Sequence, residues 1–113
     1  MINYLNTVVE ISKERKKYFE NYKHYAKLIK EAVDLADVEV LVFGSVVEGA
    51  YTMASDIDVL IISDGVPKKL DERAKILGKI NNVLGYYHPF ELHLVTTEES
   101  KWYKRSIKNY LKV

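Results

Sequence analysis

The sequence predicts an α+β fold, a small mixed sheet with helices packed on one face and polar groups free to occupy the other. Three features predict it. An apolar stripe at helical spacing fills much of the N-terminal third, three short strand-like runs follow, and two further helical stretches separate and close those runs.

From Tyr18 to Ala36, the residues Tyr18, Tyr22, Tyr25, Ala26, Ile29, Ala32, Val33 and Ala36 recur every three or four positions, one face of an amphipathic helix. No proline or glycine interrupts the preceding stretch with Leu5, Val8, Val9 and Ile11, so a long N-terminal helix over 1–36 is expected. Val38 to Phe43 is a valine-rich run ending at Gly44 and reads as a strand buried on both faces. On a second strand, Ile57 to Ile62, Ile57, Val59 and Ile61 face one side, while Asp56, Asp58, Leu60 and Ile62 face the other. Pro67 fits the first turn of a helix through Leu70, Ala74, Leu77, Ile80 and Val83 that stops near Gly85. Phe90 to Val95 is the third strand, with Phe90, Leu92 and Leu94 on one face and Glu91, His93 and Val95 on the opposite one. Thr96 and Glu99 form a capping-box pattern for a last helix over 97–111, whose apolar side carries Tyr103, Ile107, Tyr110 and Leu111. The reading is therefore one domain over 1–113, with a core at 38–95 between two helical ends.

The 48% hydrophobic and 29% charged shares place the chain among soluble globular proteins. No apolar run approaches the ~20 residues that cross a bilayer, and no signal-peptide pattern opens the chain, so a cytoplasmic, membrane-free protein is expected. Zero cysteines exclude disulfides and thiolate metal sites, leaving oxygen ligands and three histidines. A net charge of +1 supplies no global attraction to nucleic acid.

The chemically informative segment joins Phe43-Gly44-Ser45, across ten residues, to Asp56-Ile57-Asp58. Alternate strand residues lie roughly 6.6 Å apart at Cα, so two such carboxylates can converge on metal ions about 3.5–4 Å apart. Glycine after a strand allows close backbone approach, and serine at a helix N-cap leaves main-chain amides directed at an anion, which suits phosphate.

The segment LVFGSVVEGAYTMASDIDVLIIS resembles the signature of the DNA polymerase beta-like nucleotidyltransferase superfamily: a hydrophobic strand, Gly-Ser, a spacer of this length, and Asp-hydrophobic-Asp. FELHLV adds Glu91 where that superfamily places a third acid on a later strand, so the resemblance spans Val38 to about Val95. It implies the polymerase beta-like nucleotidyltransferase fold and two Mg²⁺ ions held by Asp56, Asp58 and Glu91, with Gly44 and Ser45 cradling the triphosphate of a nucleotide such as ATP. An acceptor hydroxyl would then attack the α-phosphorus, with pyrophosphate leaving. The shortness of the chain is similar to that of minimal nucleotidyltransferases, commonly partnered with small helical HEPN proteins in toxin-antitoxin pairs, some of which modify a partner tyrosine with AMP. Glu48 departs from many antitoxin members, which carry arginine there, and motivates an alternative: a nucleotide-binding or antitoxin module acting by partner contact.

Other residues read more simply. Ser55 suits either a turn cap or a phosphate contact, and His93 reads as packing on the sheet. His24 and His88 read as solvated or structural. Lys13, Arg15, Lys16 and Lys17 read as a solvated helix face and are the local patch on which any RNA role would rest. Trp102 sits one position off its helix's apolar stripe, and a C2 homodimer is the statistical default.

Overall fold

The helical N-terminal region divides in two. The structure, a computed structural model, describes residues 4–52 and 54–113; within them α1 (Tyr4–Glu20) and α2 (Tyr22–Ala32) meet at Asn21. Asn21 departs from helical dihedrals, with φ −122° and ψ 29°, although its amide still donates to the Lys17 carbonyl at 3.1 Å and its carbonyl accepts from the Tyr25 amide at 3.2 Å; its side-chain amide adds a second bond to Lys17 at 2.9 Å. Of the continuous helix expected over 1–36, residues 1–3 lie outside the described residues; from Tyr4 on it is replaced by two helices, and α2 ends four residues before Ala36, with Val33 already extended.

The chain then enters β1 (Glu39–Phe43), the short helix α3 (Ser45–Glu48), β2 (Ile57–Ile62), α4 (Leu70–Leu84), β3 (Phe90–Val95), α5 (Thr97–Ser106) and β4 (Tyr110–Lys112). The sheet order is β3-β2-β1-β4, with β2 and β3 parallel and both neighbours of β1 antiparallel to it. Between β2 and β3 runs α4, the crossover that a parallel pair requires. It starts at Leu70, so Pro67 precedes the helix rather than occupying its first turn, while Gly85 ends it at a φ of 103° as the sequence suggested.

The last helix is shorter than its apolar spacing suggested. Thr96 and Glu99 form the expected capping box, but α5 stops at Ser106 and Tyr110–Lys112 pairs with β1. Ile107 and Leu111 share a helical spacing yet pack against opposite sides of the sheet, which a continuing helix does not permit. Pairing also satisfies the second edge of β1, whose three central residues are completely buried.

Strand alternation separates two apolar clusters. Val40, Val42, Ile57, Val59, Ile61, Phe90 and Leu94 join Tyr18, Phe19, Ala26, Ile29, Ile80 and Leu84 of α1, α2 and α4 in the main core. On the other face, Leu41, Leu60, Ile62 and Val95 form a smaller cluster under Tyr103 and Ile107, so α5 covers part of the face that the sequence left open. The α+β class and mixed sheet stand as expected, with α5 added on the second face.

Candidate active site

Strand register gathers the polar groups at the uncovered end of that second face. Asp58 pairs with Phe43 on β1 and with Glu91 on β3, and the neighbouring row aligns Leu41, Leu60 and His93. Because β2 and β3 are parallel and in register, carboxylates separated by 33 residues become cross-strand neighbours.

Gly44 is fixed by this arrangement. It has a φ of 85°, in the region that favours glycine, and an added Cβ would collide with Oδ2 of Asp58. Gly44 rather than Ser45 is the N-cap of α3; its carbonyl accepts from the amides of Val47 and Glu48 at 3.2 and 3.3 Å. Ser45 is the first residue of the helix, where a backbone amide has no preceding turn to bond. The Gly-Ser turn therefore brings the backbone of Gly44 against the Asp58 carboxylate at the opening of α3.

Asp58, Glu91 and His93 each offer one ligand atom, and these atoms lie within 4.8 Å of one another. Partial burial, then the negative charge of Glu91 and a hydrogen bond shared with it, push Asp58 up to about 6; His93 opposes the shift and Asp56 adds to it. Two carboxylates facing each other in a partly desolvated site are a donor set that a divalent cation would satisfy, and oxygen ligands suit Mg²⁺.

Asp56 stands immediately before β2 and is exposed, outside the cluster formed by Asp58, Glu91 and His93. A local turn sets its approach: the Thr52 amide donates to Ser55 Oγ at 2.9 Å, and the Ser55 amide donates to the Thr52 carbonyl at 3.0 Å. Ser55 thus serves the turn. From α1, Arg15 Nη2 donates to the Ser55 carbonyl at 2.8 Å, and Phe19 stacks on Tyr51 with centroids 4.8 Å apart and planes 7° from parallel. The loop carrying Asp56 is anchored to the first helix at both ends of this turn.

Two contributors were not singled out from the sequence. His93 was read as packing, and its ring does meet Phe43 and Tyr103, yet its Nε2 also lies 3.9 Å from Asp58 and 3.8 Å from Glu91. Its same-face spacing from Glu91 was the available signal. Arg15 was read within a solvated basic face; no local pattern foretells a bond to a carbonyl 40 residues away. Lys16 and Lys17 do make exposed intrahelical pairs with Glu20 and Glu14. His88 is structural: Nδ1 accepts from the Phe90 amide at 3.1 Å and Nε2 donates to Asn81 at 2.6 Å, with burial pushing its pKa down.

Residues 23–113 match the family model of the nucleotidyltransferase domain. A solved structure of a candidate nucleotidyltransferase is 37% identical to this chain with a TM-score of 0.62, covering 82% of this chain and 97% of its own. A candidate nucleotidyltransferase from Sulfolobus solfataricus, solved at 1.40 Å, superposes with a TM-score of 0.56 at 17% identity, covering 90% of this chain and 84% of its own, a likeness of fold alone. No curated protein matches the chain.

Proposed function

Because the chain belongs to the nucleotidyltransferase domain family, we propose that it performs Mg²⁺-dependent transfer of AMP from ATP to a hydroxyl acceptor. The observation that carries this reading is the cross-strand placement of Asp58 against Glu91, with Gly44 leaving no side chain between the phosphate loop and Asp58. Asp56 and Asp58 would hold two Mg²⁺ ions together with Glu91, and the ions would supply charge neutralisation for the triphosphate and the leaving pyrophosphate. Gly44 and Ser45 seat the phosphates through the opening of α3. Glu91, more exposed than Asp58, faces the side from which an acceptor arrives and orients its hydroxyl. The acceptor oxygen bonds to the α-phosphorus as the bond to pyrophosphate breaks, and the hydroxyl proton leaves to Glu91 or solvent.

The acceptor in this proposal is a tyrosine of a small helical HEPN partner, the type implied by resemblance to antitoxin members. The test uses ATP labelled at the α- or γ-phosphate with such a partner present. Covalent α-label on the partner, absent with Asp58→Asn, is the expected result; transfer of γ-label alone overturns the reading. A second reading, a module acting by partner contact, draws on Glu48, exposed at the end of α3 where an anion repels phosphate. It predicts that Asp58→Asn still neutralises the partner.

A further inference from the structure

We infer that His93 supplies a nitrogen ligand to the ion held by Asp58 and Glu91, so that this position takes a later first-row transition-metal ion such as Co²⁺ through a contact that Mg²⁺ uses poorly. The inference rests on the metal-assisted reading above and deepens it. Nε2 lies 3.9 Å from one Asp58 oxygen and 3.8 Å from one Glu91 oxygen. Both gaps are too long for hydrogen bonds. Yet the nitrogen faces both carboxylates at once, and metal–ligand bonds of about 2.0–2.2 Å would bring one ion within reach of all three atoms after small side-chain adjustments.

The ring is also held in place. Leu60 aligns His93 in the row beside Asp58 and Glu91, while Phe43 and Tyr103 contact the ring at centroid distances of 6.1 and 5.3 Å. The side chain is only 22% exposed. Little rotamer freedom remains to be lost when its nitrogen takes up a ligand. Imidazole suits the later first-row divalent ions, whereas carboxylate and water suit Mg²⁺, so the donor set Asp58, Glu91 and His93 discriminates where an all-carboxylate set does so less. Asp56 lies outside this group and remains available to a second ion.

The test is calorimetric titration of the full chain with Co²⁺ alone and with Mg²⁺ alone, accompanied by the visible absorption of bound Co²⁺. The variants are His93→Gln and His93→Phe, the second keeping a ring between Phe43 and Tyr103; circular dichroism melts establish that each is folded. The expected result is at least a tenfold loss of Co²⁺ affinity with a changed Co²⁺ spectrum in the folded variants, and a change of less than threefold for Mg²⁺. Unaltered Co²⁺ affinity and spectrum in either folded variant overturn the inference, as do equal losses for both ions. Since carboxylates also prefer Co²⁺ over Mg²⁺, the selective loss on removing His93 is the deciding quantity. Absence of nucleotidyl transfer despite His93-dependent Co²⁺ binding would count against the proposed function alone; transfer with Co²⁺ affinity indifferent to His93 would count against this inference alone.

Discussion

One face of the sheet has two ends made from the same strands. Toward α5, Leu41, Leu60, Ile62 and Val95 are nearly or wholly buried under Tyr103 and Ile107. One residue pair away along the strands, Asp58 and Glu91 occupy the corresponding face but stay partly exposed, at 27% and 53% of their side chains. The α5-covered end gains by excluding water from apolar surface, whereas the open end carries Asp58, whose partial burial and then the charge of Glu91 oppose its ionisation. Adjacent positions on one scaffold therefore divide the work: the covered row fixes strand register, and that register sets the spacing of the charges.

Substitution at each end should separate the two roles. Asp58→Asn is expected to lower nucleotidyl transfer on the order of 10²–10³-fold while the protein stays folded. In the metal-free protein it should also be stabilising above neutral pH. The folded-state value of Asp58 is raised from 3.8 to about 6, so this group's contribution is fully present below 3.8 and is lost as pH rises through 6. Replacing it removes a penalty of about 3 kcal/mol at pH 8, cut to roughly 2 kcal/mol by solvent screening of this partly exposed carboxyl, read as a higher melting temperature in chelator, with a smaller gain at pH 5. Equal melting curves for wild type and variant at pH 8 would contradict this account. At the covered end, Leu60→Ala should cost about 2–5 kcal/mol by urea unfolding, because Leu60 is completely buried between strand neighbours.

Gly44→Ala lies between these extremes because it strains the backbone and displaces a carboxylate. The φ of 85° and the collision with Asp58 should together cost about 1–3 kcal/mol. Transfer should fall beyond what lost stability explains, measured as kcat at a temperature where the variant is fully folded. Retained kcat would mean that the Asp58 position does not depend on the bare backbone at Gly44.

Much of this division was legible in the sequence, because alternation along β2 and β3 assigns Asp58 and Glu91 to one face and Ile57, Val59, Phe90 and Leu94 to the other. Their direct opposition was less legible, since it depends on a parallel pairing closed by α4. The fourth strand was obscured because Ile107, Tyr110 and Leu111 satisfy a helical period; only the free edge of β1 and the two faces it separates make the extended form preferable. The break at Asn21 was obscured for the opposite reason: only the dihedrals of Asn21 leave helical values, while the apolar stripe and the backbone bonds from Asn21 to Lys17 and from Tyr25 to Asn21 continue across it. The bond from Arg15 to Ser55 arises only after α1 has docked near the loop.

The smallest expected effect concerns what keeps α5 over the covered end. Glu99 accepts from the Thr96 amide at 2.9 Å and pairs with Arg73 Nη2 at 3.0 Å, tying the start of α5 to α4. The backbone bond from Thr96, followed by the bond from Arg73, holds the Glu99 carboxyl below its usual 4.5. Its stabilising contribution is therefore present above 4.5 and is lost as pH falls through the depressed value. Glu99→Gln should cost about 0.5–1 kcal/mol at pH 7, and the difference from wild type should shrink on acidification toward pH 3, measured by paired urea curves. Transfer by folded Glu99→Gln should remain within twofold of wild type, because Asp58 and Glu91 are set by strand pairing rather than by the cap. A large loss of transfer would show that the covered end controls the charged end through α5, and a constant stability difference across pH would show that the carboxyl's ionisation is not what anchors the helix.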